Sequence, residues 1–265
     1  MTEIQPVHGI PALRVGTTLV IADLHIGLEA QLVSKGFHIT SRTEDMFDAI
    51  MAASDGCNKL IVLGDVKNSV PGSSKQEYRE IPDFFCRLSE HFNSVTVVRG
   101  NHDTNIEEFV PGAVRIYHAS GTKIGDVGLI HGHTWPSADT MSCRILVMGH
   151  EHPTALFKDG VGAHMSEPCW MRGRFRDVSD ERYPALPQEF ILVPAFNRLL
   201  GGSPVNVIGG ELLGPLMNSG LLDLEDAHLY TLDGIDLGRR ADLMVKTNRF
   251  KKWNDSVDRP RHDSL

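Results

Sequence analysis

Five short apolar runs, at residues 18–22, 59–63, 95–98, 127–130 and 145–148, each stop at side chains that bind metal ions. The stops are Asp23-Leu24-His25, Gly64-Asp65, Gly100-Asn101-His102-Asp103, His131-Gly132-His133 and Gly149-His150-Glu151-His152. Runs this short and this rich in β-branched residues read as buried strands. In open α/β sheets ligands bind beyond the carboxyl ends of the strands, so a single sheet end can gather all five motifs. Asp23 and His25 are two residues apart, and in extended chain they point to one side.

The first three runs alternate with helical spacing. Residues 28–35 and a second stretch opening at Ser41-Arg42-Thr43-Glu44 read as helices, the latter as a capping box with Met46, Phe47, Ile50 and Met51 on one face. Residues 77–92 read as a third, in which Pro82 fits only the first turn or a kink. Strand, helix, strand, helix, strand predicts an α/β layered fold. Further on, strand patterns dominate: 114–116, 155–157, 170–176, 190–193, 228–232 and 235–237, with loops at 67–76, 177–188 and 197–220. The expected organisation is a single domain over 1–245 and a polar, partly basic tail over 246–265.

The net charge of −8 argues against a generally basic nucleic-acid-binding face. Four cysteines are scattered with no Cys-x-x-Cys pair, which argues against a zinc ribbon and against a disulfide framework. No apolar run is long enough to span a bilayer and no signal segment opens the chain, so the expectation is a cytoplasmic protein with no membrane partner. The motifs supply two carboxylates, one amide oxygen and several imidazoles. That set suits Mn²⁺, Zn²⁺ or Fe²⁺ rather than Ca²⁺. It exceeds the needs of one ion and fits two ions sharing a carboxylate at roughly 3.5–4 Å.

Taken as an ordered set, the five motifs resemble the calcineurin-like metallophosphoesterase signature. Asp23 to Glu29, Gly64-Asp65-Val66-Lys67, His131 to Pro136, Pro194-Ala195-Phe196-Asn197 and Gly201-Gly202 are similar to the ICC-like phosphoesterases. That group includes ligase-associated DNA damage response endonucleases. The resemblance implies a four-layer α/β/β/α sandwich, two packed mixed β-sheets flanked by helices. It implies one ion on Asp23, His25 and His152, a second on Asn101, His131 and His150, and Asp65 between them. Mn²⁺ is the expected metal. The implied reaction is attack on phosphorus by a metal-bridging hydroxide. His102 is then placed to donate a proton to the leaving oxygen or to stabilise its charge, with Asp103 as the group that orients it.

Other polar residues carry blander readings. His133 is either a neighbour of the ligands or a loop residue. Glu29 either contacts the ligands or faces its own helix dipole. Lys67 and Asn68 read as a solvated loop, with a substrate phosphate as the alternative. Arg172, Arg174 and Arg176 alternate along a strand and read as a solvated outer face, although such a row could also track a nucleic-acid backbone. The leading functional reading is a phosphodiesterase of DNA or another nucleic acid. Its rivals are a phosphatase or diesterase of small nucleotides or phosphomonoesters, and a non-catalytic, metal-stabilised binding protein.

Overall fold

Strict alternation within the strands decides how the chain layers. Leu19, Ile21, Leu60 and Val62 join one core cluster, while their neighbours Val20, Ala22, Ile61 and Leu63 join another. Successive strand side chains leave opposite faces of a sheet, so a strand apolar on both faces must be covered on both. A computed structural model, which describes residues 1–247, shows this arrangement. The 246–265 tail therefore lies, from residue 248 on, outside the described residues.

The first sheet runs in chain order: β1 (Ile4–Pro6), β2 (Leu13–Val15), β3 (Thr18–Ile21), β4 (Lys59–Leu63), β5 (Ser94–Val98) and β6 (Arg115–Tyr117). β3 to β6 are parallel, and β1 and β2 add antiparallel strands beside β3. Helices α1 (Leu28–Ser34), α2 (Thr43–Ala53) and α3 (Lys75–His91) make the parallel crossovers. Ile50, Ile81, Phe84 and Phe85 from α2 and α3 bury the outer face of this sheet.

The second sheet holds β7 (Thr122–Ile124), β8 (Val127–Ile130), β9 (Ile145–Met148), β10 (Pro153–Lys158), β11 (His164–Phe175), β12 (Glu189–Leu192) and β13 (Ser203–Pro204). Its order is β13-β10-β11-β12-β9-β8-β7, and β14 (Leu222–Thr231) pairs with both β11 and β15 (Asp236–Arg239). Val127, Leu129, Ile145, Val147, Ile191 and Val193 meet the first sheet, while Leu146, Met148, Phe190 and Leu192 face outward. The two sheets are therefore mixed and packed face to face, as expected. The outer helical layer on this side is thin: α4 (Ala138–Met141) and α5 (Gly214–Met217) are single turns.

Several local expectations need correction. Ser41 is not the N-cap of α2, which is Arg42 with no side-chain cap bond, although Ser41 Oγ accepts the Thr43 N–H (3.2 Å). The Ser41 hydroxyl donates to Glu80, and Glu44 takes a two-pronged bond from Arg87. The capping box sits on α3, between Ser74 and Glu77, and that helix opens earlier than expected. Pro82 lies inside α3, past the first turn, where it removes one helical hydrogen bond. β11 begins six residues before Trp170, and the 197–220 loop contains β13 and α5.

Candidate metal centre

The carboxyl ends of β3, β4, β5, β8 and β9 deliver the five motifs to one end of the sandwich, at the seam between the sheets. The turns after β3 and β4 zip together through Asp23 N to Gly64 O (3.2 Å) and His25 N to Asp65 O (2.8 Å). Asn197, after β12, locks the first turn: its N–H donates to the Asp23 carbonyl and its amide to that of Leu24. Gly64 has φ of +73°, and a Cβ there would sit 2.6 Å from His131 Nδ1, so glycine alone lets the ring approach.

The backbone is strained where the motifs converge. Among the described residues six non-glycine positions have positive φ, and five are Asp23, His25, Asp65, His150 and His152. A left-handed conformation costs an L-residue about 1–2 kcal/mol, and such strain concentrates at functional sites.

Two side-chain groups result. Asp23, His25, Asp65 and His152 bring ligand atoms within 4.8 Å of one another, and so do Asp65, His131 and His150. Asp65 belongs to both. Asn101 adjoins the second group, its Oδ1 lying 3.1 Å from His131 Nε2. All seven expected ligands therefore meet. Their fit to metal ions can be tested on their bonding. The His131 Nδ1–H donates to the Leu63 carbonyl (2.7 Å), which turns Nε2 inward, in hydrogen-bonding geometry with Asn101 Oδ1 (3.1 Å) and 3.3 Å from Asp65 Oδ2. His25 Nε2 and His152 Nε2 are buried without a hydrogen bond. The latter lies 3.2 Å from Asp23 Oδ1, but the direction is wrong for one. The unpartnered buried nitrogens of His25 and His152, beside the carboxylates of Asp65 and Asp23, are what divalent ions would satisfy.

Electrostatics agree with that fit. Burial works to raise the Asp65 pKa, yet His131 and His25 hold it well below the usual carboxylate range. Burial likewise works against a charged His131, but the Asp65 and Asp23 carboxylates hold its pKa up at about 9. Desolvation and the nearby His131 push His150 down to about 3 and His133 down to about 4.

These directions predict the behaviour of chelator-treated protein. The raised His131 pKa gives stability that is complete below about 6.5 and is lost as pH rises through about 9. The depressed His150 and His133 pKa values act oppositely: their stability is present above about 6.5 and lost as pH falls. The thermal midpoint without metal should peak near pH 6.5 and drop toward both pH 9 and pH 4. A midpoint that climbs steadily from pH 6.5 to 9 would refute this assignment of charges.

His102 stands beside these groups but outside them. Its Nδ1–H donates to the Asn68 carbonyl (2.7 Å), which leaves Nε2 4.0 Å from Asp65 Oδ2. Asp103 does not orient it. The Asp103 carboxylate is buried and accepts the N–H groups of Val66 (2.8 Å), Lys67 (3.3 Å) and Gly100 (2.8 Å), so it holds the β4 and β5 turns together. His133 is brought to the site, its ring 5.2 Å from that of His131. Glu29 is drawn off to Arg42 N and Gln76. Lys67 is not solvated: its buried ammonium donates to the carbonyls of Thr104 and Gly72 and lies over the Phe109 ring. Asn68 is also buried.

The arginine row leads away from the site. Arg172 stands opposite Ile191 and Arg174 opposite Glu189, which in turn face Val147 and Ile145. Each step thus runs toward the amino ends of β9 and β12, while His150 and His152 follow the carboxyl end of β9. Arg172 is also paired with Glu189 (2.5 Å).

Two residues in the centre escaped the sequence reading of the site. Asn197 was visible only as part of a motif. Glu151 sits between the two histidines, almost wholly buried, and burial pushes its pKa up to about 7 against the opposing Leu213 N–H.

The sequence profile of a family described as calcineurin-like phosphoesterase matches residues 16–264. Among solved structures, the chain is similar to nuclease MPE of Pseudomonas putida, at 20% identity over 86% of this chain and 95% of that one, with a TM-score of 0.48. It is similar to YfcE, a phosphoesterase from E. coli, at 15% identity over 84% and 97%, with a TM-score of 0.36. A metallophosphoesterase from Sphaerobacter thermophilus matches at 14% identity over 85% and 90%, with a TM-score of 0.34. No curated protein matches the sequence. Among the described residues no helix is long and apolar enough to cross a membrane.

Proposed function

This chain belongs to the calcineurin-like phosphoesterase family, and we propose that it is a two-metal phosphodiesterase whose substrate is DNA or another nucleic acid. The observation that carries the two-metal reading is the sharing of Asp65 between two ligand groups. In this reading Asp23, His25 and His152 hold one ion, Asn101, His131 and His150 hold the other, and both are Mn²⁺. Two such ions would supply charge to stabilise the transition state and would lower the pKa of an attacking water.

The protein's own residues do the rest. Leu63 O fixes the His131 tautomer so that Nε2 faces inward. Asn68 O does the same for His102, whose Nε2 is then the atom free to give a proton to the leaving oxygen. Lys67 spends its ammonium on backbone carbonyls. It is therefore not available to hold the second charge of a monoester dianion, which favours a diester. The nucleic-acid part rests on the ICC-like motifs, since the arginine row lends no support at this end of the fold. The free thiols suit a cytoplasmic location.

Mn²⁺-loaded protein should cleave a bis-aryl phosphate faster than a mono-aryl one and should nick supercoiled plasmid. The reverse aryl preference would replace this reading with a phosphatase. Diester cleavage without nicking under any divalent metal would restrict it to small nucleotides.

A further inference from the structure

The turn that carries His150 and His152 must send two near-neighbour imidazoles to different ligand groups. Both residues are left-handed, with φ of 68° and 47°. A conformation that unfavourable persists only where surrounding structure over-determines it. Three constraints come from backbone N–H groups: His150 N–H reaches the Asp23 carboxylate, Glu151 N–H reaches Gly149 O (2.8 Å), and Ser203 N–H reaches His152 O (2.9 Å). The fourth is a side chain. Glu151 is 1% exposed. One of its oxygens accepts the Leu213 N–H (2.5 Å), and the other is buried with no hydrogen bond.

Leu213 is the N-cap of α5, and α5 is wedged against the site from the outer side of the second sheet. Gly214 has φ of +75°, and a Cβ there would collide with Gly132 O and come 3.6 Å from His150 Cδ2. Leu216 and Met217 then anchor α5 in the outer core. Glu151 thus bonds the ligand turn to an element packed on the back of His150.

We propose that Glu151 is a positioning residue that, through Leu213 N–H, holds His150 and His152 apart so that each serves its own ion. This rests on the two-metal reading. A buried carboxylate without full hydrogen bonding is unfavourable to keep in a fold, and here its bond is what joins the ligand turn to α5. Groups that orient metal ligands through such contacts typically change metal affinity by about 10–100-fold when removed.

The test is a calorimetric Mn²⁺ titration of the full chain. Wild type must first bind two ions, and failure there would sink the two-metal reading itself. Glu151→Ala should weaken Mn²⁺ binding at both sites by about 10-fold or more. Glu151→Gln keeps an acceptor for Leu213 N–H and should stay within a few-fold of wild type. Leu213→Pro removes the same bond from the other end and should reproduce the alanine effect if Glu151→Ala proves too unstable to titrate. Two wild-type affinities in folded Glu151→Ala or Leu213→Pro would overturn the proposal. So would a loss in Glu151→Gln equal to that in Glu151→Ala, which would show that charge, and not the bond, is what the site needs.

Discussion

Replacing Asp65 with asparagine should remove both metal ions from the protein and lower phosphodiester turnover by about 1,000-fold or more, as expected when several kcal/mol of ionic stabilisation is lost. The size of the effect follows from position. Every other acidic or histidine ligand belongs to one group, whereas Asp65 belongs to both. Its Oδ2 lies 3.4 Å from His25 Nε2 and 3.3 Å from His131 Nε2, so one carboxylate faces the imidazoles of each half. Asparagine is the informative replacement because the other carboxylate oxygen supports the backbone, with Asp65 Oδ1 accepting the His102 N–H at 2.9 Å. An amide oxygen can still accept that bond, so the β5 turn should stay in place while the charge disappears. Metal content per chain and turnover of a bis-aryl phosphate decide the matter together. A variant that keeps two ions and near-normal turnover would show that Asp65 does not join the two halves.

The parts of this fold that could be read from the chain are those set by short-range physics. Alternation in 18–22 and 59–63 separates Val20 and Ile61 from Leu19 and Leu60, and the two cores divide along that line. Chain reversals after those strands need polar and glycine residues, and here the same positions carry the candidate ligands. What the chain could not disclose depends on partners far away in sequence. Asp103 follows His102 directly, but the turn gives its carboxylate to three backbone N–H groups and leaves His102 to the carbonyl of Asn68. A backbone carbonyl has no signature in a sequence. Lys67 looked like part of a polar loop because the ring and carbonyl that help bury its ammonium come from residues 109 and 104. The arginines of β11 alternate as expected, yet whether they approach the site depends on the register of β11 against β12, which only the pairing reveals. Ser41 and Glu44 had the spacing of a capping box, but Glu80 and Arg87 on α3 offer them better partners.

His102 should separate metal binding from chemistry. In His102→Ala both ions should remain, because the ring belongs to neither ligand group and its Nε2 is 4.0 Å from the nearest carboxylate oxygen of Asp65. Turnover of DNA should fall by about 100- to 10,000-fold, the usual range for losing a positioned proton donor. The loss should also depend on the leaving group. A sugar alkoxide is a strong base and needs a proton as it departs, whereas an aryl oxide leaves unaided at neutral pH. The same variant should therefore lose much less on a bis-aryl phosphate than on plasmid DNA. The ring is held in one orientation. The Nδ1 proton is committed to Asn68 O at 2.7 Å, so the ring cannot turn away without breaking a short hydrogen bond. Nε2 is then the ring nitrogen left to act on a leaving oxygen. An equal loss on both substrates would mean that His102 stabilises charge on the phosphoryl group instead of protonating the leaving oxygen. Loss of an ion in His102→Ala would place it among the ligands.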